Sequence, residues 1–242
     1  MTRDFNVQPF KFKKFSVAQE LVTMKVGFDG VLVGAWASID GVNTVLDIGT
    51  GSGLIALIIA QRIGENANIH AIDVDKNSIL QAKGNFKNSP WASVFTLHHQ
   101  SIQDFARTFD AKYDLIISNP PFFTGGMMSE NDAKNDARHT IKLPHGDLLL
   151  AVDRLLHDKG KLVLILPYLQ GLRFMEISQT YRLFASKITE VISKQGKTVE
   201  RLMIEFSRTK KNHFQNQLLV YEEGTQYTEE YKALTKDFYL NF

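Results

Sequence analysis

The chain has 242 residues, 44% of them hydrophobic and 22% charged, a length that can bury one sizeable core and fits one α/β domain better than two. It contains no cysteine, which excludes disulfides, cysteine nucleophiles and thiolate metal sites, and its seven histidines show no paired ligand spacing, so no metal is expected. A net charge of +2 and a pI near 8.6 are too mild to announce a nucleic-acid partner without local clustering, and no run of about eighteen apolar residues exists, so a soluble, cytoplasmic, monomeric protein without membrane contact is expected.

Along the chain, residues 10–15 (Phe-Lys-Phe-Lys-Lys-Phe) come first, interleaving aromatics with Lys11, Lys13 and Lys14. That mixture can stack on bases while meeting phosphates, and it equally fits an amphipathic edge strand with snorkelling lysines. Residues 25–30 (Lys-Val-Gly-Phe-Asp-Gly) then precede an apolar helix expected over 31–39 and capped near Asp29.

Residues 44–57 (Thr-Val-Leu-Asp-Ile-Gly-Thr-Gly-Ser-Gly-Leu-Ile-Ala-Leu) form the strongest motif, a buried strand, a glycine loop and a helix start. Gly49, Gly51 and Gly53 let the backbone turn sharply and approach a ligand, with free N–H groups at the start of the next helix. The Gly-x-Gly-x-Gly spacing differs from the Gly-x-Gly-x-x-Gly dinucleotide fingerprint. A strand over 68–73 ends in Asp73 about twenty positions on, which places a carboxylate at the tip of the neighbouring strand where it can accept ribose hydroxyls. Asp75 reads as the cap of the helix over 76–86.

The third strand, within 93–98, leads to Ser101 and Ile102, where Ser101 could cap a helix. Residues 113–123 (Tyr-Asp-Leu-Ile-Ile-Ser-Asn-Pro-Pro-Phe-Phe) join a doubly covered strand to a stiff turn rich in acceptors. In it Asn119 offers a side-chain oxygen, Pro120 a carbonyl without a neighbouring N–H, and Phe122 a flat apolar face, a set suited to a planar substrate bearing an amino group.

Residues 124–144 form a long polar loop carrying Arg138 and His139, with Lys134 and Lys142 nearby, a basic segment able to reach phosphates or equally a solvated, mobile lid. Helices follow over 146–157 and 168–183, on either side of a buried strand at 161–166. Beyond them, strands over 187–193, 201–206 and 217–221 succeed one another without intervening helices. Arg201, Arg208, Lys210 and Lys211 form a second basic patch or an ordinary solvated face.

The Asn119-Pro120-Pro121-Phe122 turn together with the 44–57 glycine loop resembles class I S-adenosylmethionine-dependent methyltransferases acting on planar amino or amide nitrogens. The terminal segments, residues 10–15, 24–36 and 238–242, are similar to those of bacterial tRNA adenine N6-methyltransferases of the valine-tRNA type. That resemblance implies a Rossmann-like, seven-stranded, mostly parallel sheet with an antiparallel C-terminal edge and one added strand. It also implies a covering segment over 1–40 and a catalytic core over 41–242.

By the same resemblance S-adenosylmethionine is the cofactor and tRNA the partner. Asn119, Pro120 and Phe122 would be catalytic. Lys25, Gly27, Asp29, Asp47, Gly49, Gly51, Gly53, Asp73, Ser101, Ile102 and Asn119 would form the cofactor site, with Asp47 on the cofactor's ammonium. Ser101 stands where such enzymes often carry an Asp for the cofactor's adenine amino group. Lys11, Lys13, Lys14, Arg138, Lys210 and Lys211 would meet nucleic acid. A ribosomal RNA guanine-N2 or adenine-N6 methyltransferase and a protein glutamine methyltransferase are the alternatives.

Overall fold

In this computed structural model, residues 8–120 and 143–241 are described. They begin with a small antiparallel hairpin, β1 (Phe10–Lys11) and β2 (Ser16–Val17), followed by helix α1 (Phe28–Trp36). The central sheet then builds from β3 (Thr44–Ile48), β4 (Asn68–Asp73), β5 (Phe95–His99), β6 (Tyr113–Ser118) and β7 (Leu156–Pro167), all parallel. Three more strands complete it: β8 (Phe184–Lys194), β9 (Arg201–Ser207) and β10 (Phe214–Tyr221), giving the order β5-β4-β3-β6-β7-β9-β8-β10. The sheet is thus mostly parallel. Its antiparallel pairings are those of β9 with β7 and with β8, and β10 is the added strand, running parallel to β8.

Apolar runs make the central strands β3, β6, β7 and β9, which are covered on both faces. Side chains alternate across the sheet. Val45, Leu115 and Ile117 join one core with α1, α2 (Leu54–Ile63), α3 (Lys76–Lys87) and α7 (Glu229–Thr235). Leu46, Ile48 and Ile116 join the opposite core with α4 (Ile102–Thr108), α5 (His145–Leu155) and α6 (Tyr168–Ser178). The tail packs back onto the first core through Tyr231 of α7 and through Phe238, which lies beyond the end of that helix.

Several boundaries differ from the sequence reading. α1 starts three residues earlier than expected, with Gly27 at its cap position, so Asp29 lies inside the first turn instead of capping it. A Cβ at Gly34 would stand 2.8 Å from Ile58 Cγ2, so the absence of a side chain there lets α1 lie close against α2. The helix expected over 168–183 ends at Ser178 and passes through a short 3₁₀ turn to Arg182, whose φ of 54° is left-handed.

Candidate cofactor and substrate site

The glycine loop occupies the carboxyl end of β3, where open α/β sheets hold ligands. Gly49, Gly51 and Gly53 all have positive φ, and a Cβ on Gly53 would lie 2.4 Å from the Phe86 ring, so this turn cannot be made with larger residues there. The Gly49 and Thr50 amides donate to the Ile72 carbonyl at 2.9 and 3.0 Å, while the Gly51 amide donates to Asp73 Oδ2 at 2.9 Å. Asp73 Oδ1 accepts the Asp75 amide. The expected ribose ligand is therefore also the residue that holds the loop, and burial pushes its carboxyl above the usual range against those backbone bonds.

Asp47 sits beneath the loop, fully buried. Its Oδ2 accepts the Thr50 hydroxyl at 2.7 Å, whereas Oδ1 makes no hydrogen bond among the described residues, the Ala56 amide lying near enough only to temper the charge. Burial raises its pKa to about 7. An orphaned buried acceptor calls for a partner, and an ammonium group would both satisfy Oδ1 and hold the carboxylate ionised. The pocket floor thus fits a cofactor bearing an amino-acid moiety.

The Asn119 turn leaves the same edge. β6 pairs with β3 so that Ser118 stands opposite Ile48, and the Ser118 hydroxyl donates to the Ile48 carbonyl at 2.7 Å. Asn119 and Pro120 follow directly. Asn119 Oδ1 is buried and makes no hydrogen bond among the described residues, so a second acceptor waits beside the first. Phe122 and Arg138 lie outside the described residues, as does most of the loop expected over 124–144.

The other expected site residues take varied places. Lys25 Nζ donates to the Gln19 and Val22 carbonyls and closes its own loop. Gly27 begins α1 in an extended conformation, and Asp29 Oδ2 accepts from Arg201 Nε at 3.0 Å. Ser101 caps α4 by accepting the Asp104 amide, the role weighed for it in the sequence. Ile102 is buried among Ile48 and Ile72, at the carboxyl ends of β3 and β4.

Lys11, Lys13 and Lys14 are exposed on the hairpin, and Lys13 is tied to the tail, its amide on the Phe238 carbonyl and its Nζ on the Lys236 carbonyl. The aromatics between them are not a stacking platform for bases: Phe12 and Phe15 are 4% and 6% exposed and stack on each other, with Tyr239 and Trp91 alongside. Nor is the segment one amphipathic strand: Phe10 and Lys11 are strand, and residues 12–15 form the turn of the hairpin, closed by the Phe12 amide on the Phe15 carbonyl at 2.8 Å. The second basic patch divides in two. Arg201 stands at the carboxyl edge of the sheet, Arg208 pairs with Asp153, and Lys210 and Lys211 lie past the far end of β9.

Thr50 and Asn85 escaped the sequence reading, and Arg201 entered it only as part of a basic patch. Thr50, a hydroxyl between two loop glycines, was visible and holds Asp47. Asn85 exchanges both amide groups with Ala18 and donates to the Ser52 carbonyl, fastening the amino-terminal segment to the glycine loop, and Arg201 fastens α1 to β9. The partners of these last two are so distant in sequence that no local pattern announces them. No group of three or more metal-ligating side chains occurs among the described residues, and no helix there is long and apolar enough to cross a membrane.

A parallel sheet of this order, with a glycine loop after its first long strand, an acidic tip on the next and an acceptor turn on the fourth, defines the class I methyltransferase architecture. Residues 34–182 match the family model for the methyltransferase small domain, and the chain belongs to that family. It is 43% identical over 235 residues to the tRNA1(Val) (adenine(37)-N6)-methyltransferase of Histophilus somni, covering 97% of this chain and 98% of the relative. The enzyme of the same name from Mannheimia succiniciproducens is 44% identical over 233 residues, covering 96% and 95%. Among solved structures, Atu636 of Agrobacterium tumefaciens, a predicted O-methyltransferase, superposes with a TM-score of 0.67 at 14% identity over 87% of this chain and 96% of that one, a likeness of fold. The chain is a methyltransferase, and its cofactor is S-adenosylmethionine.

Proposed function

We propose that this protein methylates the exocyclic N6 of adenine 37 in tRNA1(Val), the activity by which its full-length relatives are named. The observation that carries the chemistry is the buried Asn119 Oδ1, without a hydrogen-bond partner among the described residues, just past the end of β6. When bound, S-adenosylmethionine supplies an electrophilic methyl group. Asp47 is suited to its ammonium, Asp73 to its ribose, and Ile102 with Ser101 to the adenine end.

The chain's own residues prepare the nucleophile. An adenine amino nitrogen is weakly nucleophilic because its lone pair is delocalised into the ring. Asn119 Oδ1 and the Pro120 carbonyl, accepting its two hydrogens, favour the tetrahedral nitrogen that develops in the transition state and orient its lone pair. The methylated nitrogen is acidic and sheds its extra proton to water, so no side-chain base is required. Phe122 would stack on the base, which has to leave its own stack to arrive. Lys11, Lys14 and Arg138 are placed by this reading on the RNA backbone. Lys13, held by the tail, would serve mainly to fix the hairpin.

The test uses labelled S-adenosylmethionine with unmodified tRNA, ribosomal RNA or release factor, followed by nucleoside digestion and position mapping. N6-methyladenosine at position 37 of the tRNA supports the reading. Label in guanine N2 of ribosomal RNA, or in a glutamine side chain, would replace it with one of the alternatives.

A further inference from the structure

Beside α6 lies a groove of about 410 Å³ that no cofactor chemistry occupies. One wall is the face of α6 carrying Tyr168, Leu172 and Met175, at helical spacing, with Gln179 just past its end; the floor is Phe184 and Ile188 of β8 with Leu202 of β9. At its upper end Tyr168 directly follows Pro167, the last residue of β7, which pairs with Arg201 on the catalytic edge. At its lower end are Lys210, Lys211 and His213, past the foot of β9. Arg201 and Ser207 are six residues apart, so at about 3.4 Å per residue the two ends are roughly 20 Å apart.

The charge along the groove is uneven. Lys210, Lys211 and His213 are exposed, and none is paired with a carboxylate among the described residues; the Lys210 ammonium stands 5.9 Å from the centre of the Phe184 ring. The one carboxylate lining the groove, Glu190, sits at the level of Leu202 near the upper end, and its oxygens accept the Gln215 and Gln217 amides. An anionic ligand would therefore meet unneutralised cations at the lower end and amide groups and apolar surface above them. A protein that carries only +2 overall has to grip a polyanion through such local clusters.

We propose that this groove docks the stem of the RNA whose loop enters the catalytic edge, with Lys210 and Lys211 on its backbone phosphates about 20 Å from the methylated base. The proposal rests on the RNA reading given above and deepens it: recognition extends beyond the loop, so a short hairpin is an incomplete ligand. A three-base-pair stem of A-form RNA, at roughly 3 Å of rise per pair, extends only about 10 Å beyond its loop and stops short of the lysines.

The experiment compares binding of full-length unmodified tRNA and of a three-base-pair hairpin carrying the same loop, across a salt series, for wild type and the Lys210→Ala/Lys211→Ala variant. Unchanged S-adenosylmethionine affinity reports that the variant is folded. The expected result is full-length tRNA binding weakened about tenfold at physiological salt, a log–log salt slope shallower by about 0.7 to 1.8, hairpin binding unchanged, and recovery in Lys210→Arg/Lys211→Arg. Unchanged affinity and slope for full-length tRNA would overturn the proposal, and is also the outcome if the groove serves a protein partner. Equal losses for both RNAs would overturn it too, because the lysines would then act on the loop. Binding without methylation would sink the functional reading alone, since the groove is judged by binding.

Discussion

Ser118 donates its hydroxyl to the Ile48 carbonyl at 2.7 Å, so the last residue of β6 is fastened to the last residue of β3. Gly49 and Asn119 are the next residue on each strand. This one bond holds the cofactor loop and the acceptor turn in fixed relation, and small misplacements of a reacting pair cost large factors in rate.

Ser118→Ala should accordingly lower the single-turnover rate ten- to a hundredfold while leaving cofactor affinity nearly unchanged, with a stability loss of about 1–2 kcal/mol from the buried Ile48 carbonyl left unpaired. Rapid-quench rates beside urea unfolding measure both. A variant that loses stability but keeps its rate would show the bond to be structural only.

Asp47 links stability to cofactor binding through pH. Burial lifts its folded pKa to about 7, above the unfolded value of 3.8, so the folded state binds more protons between those limits and stability falls as pH rises from about 4 to 7. Asp47→Asn should stabilise the cofactor-free protein at pH 8 by roughly 2–4 kcal/mol and weaken S-adenosylmethionine binding at least tenfold. Wild-type affinity should also drop as pH falls below 7, and the variant's should not. Thermal unfolding and calorimetric titration at pH 6 and 8 check both, and a variant less stable at pH 8 contradicts the assignment.

Asp73→Ala should weaken cofactor affinity about ten- to a hundredfold and leave the rate at saturating cofactor within a few-fold, because its contacts are remote from the transferred methyl. Its carboxylate also holds the Gly51 amide, so loop protection in hydrogen exchange should drop as well. Affinity that holds while the saturated rate collapses would remove Asp73 from the ribose.

A cluster away from the site governs acid stability. His70 Nδ1 lies 2.8 Å from the Tyr113 hydroxyl and 3.2 Å from His98 Nε2, and burial, with His98 adding to it, pushes its pKa down to about 4. The unfolded chain protonates this ring near 6.5, so its contribution is complete above that pH and is lost as pH falls toward 4. In an Asp47→Asn background, which removes the opposing contribution of that carboxyl, urea midpoints should therefore decrease between pH 7 and 5. In His70→Gln, which keeps an acceptor for Tyr113, the decrease should be smaller; an identical pH dependence would contradict this origin.

Much of the cofactor side was legible in the sequence because each part lies within one strand and its following turn. Asp47 to Gly53, Asp73 and Asn119 are read from runs of a few residues whose geometry is decided locally. What stayed hidden depends on pairing across the chain. Arg201 and Lys210 look like one patch in sequence, yet β9 carries them to opposite poles, and its insertion between β7 and β8 cannot be deduced from its own residues. The Phe-Lys alternation of residues 10–15 leaves a base-stacking surface and an amphipathic strand equally open, and it is Trp91 and Tyr239, distant in the chain, that bury Phe12 and Phe15 in a hairpin turn.

The central claim is that Asn119 Oδ1 accepts a hydrogen of the substrate amine as the nitrogen becomes tetrahedral. Single-turnover methyl transfer to unmodified tRNA by Asn119→Ala, with calorimetric S-adenosylmethionine affinity on the same sample, tests it most directly. The account predicts a rate lower by two or more orders of magnitude, roughly 3 kcal/mol of transition-state stabilisation, with cofactor binding retained. An unchanged rate at saturating cofactor and tRNA would contradict it.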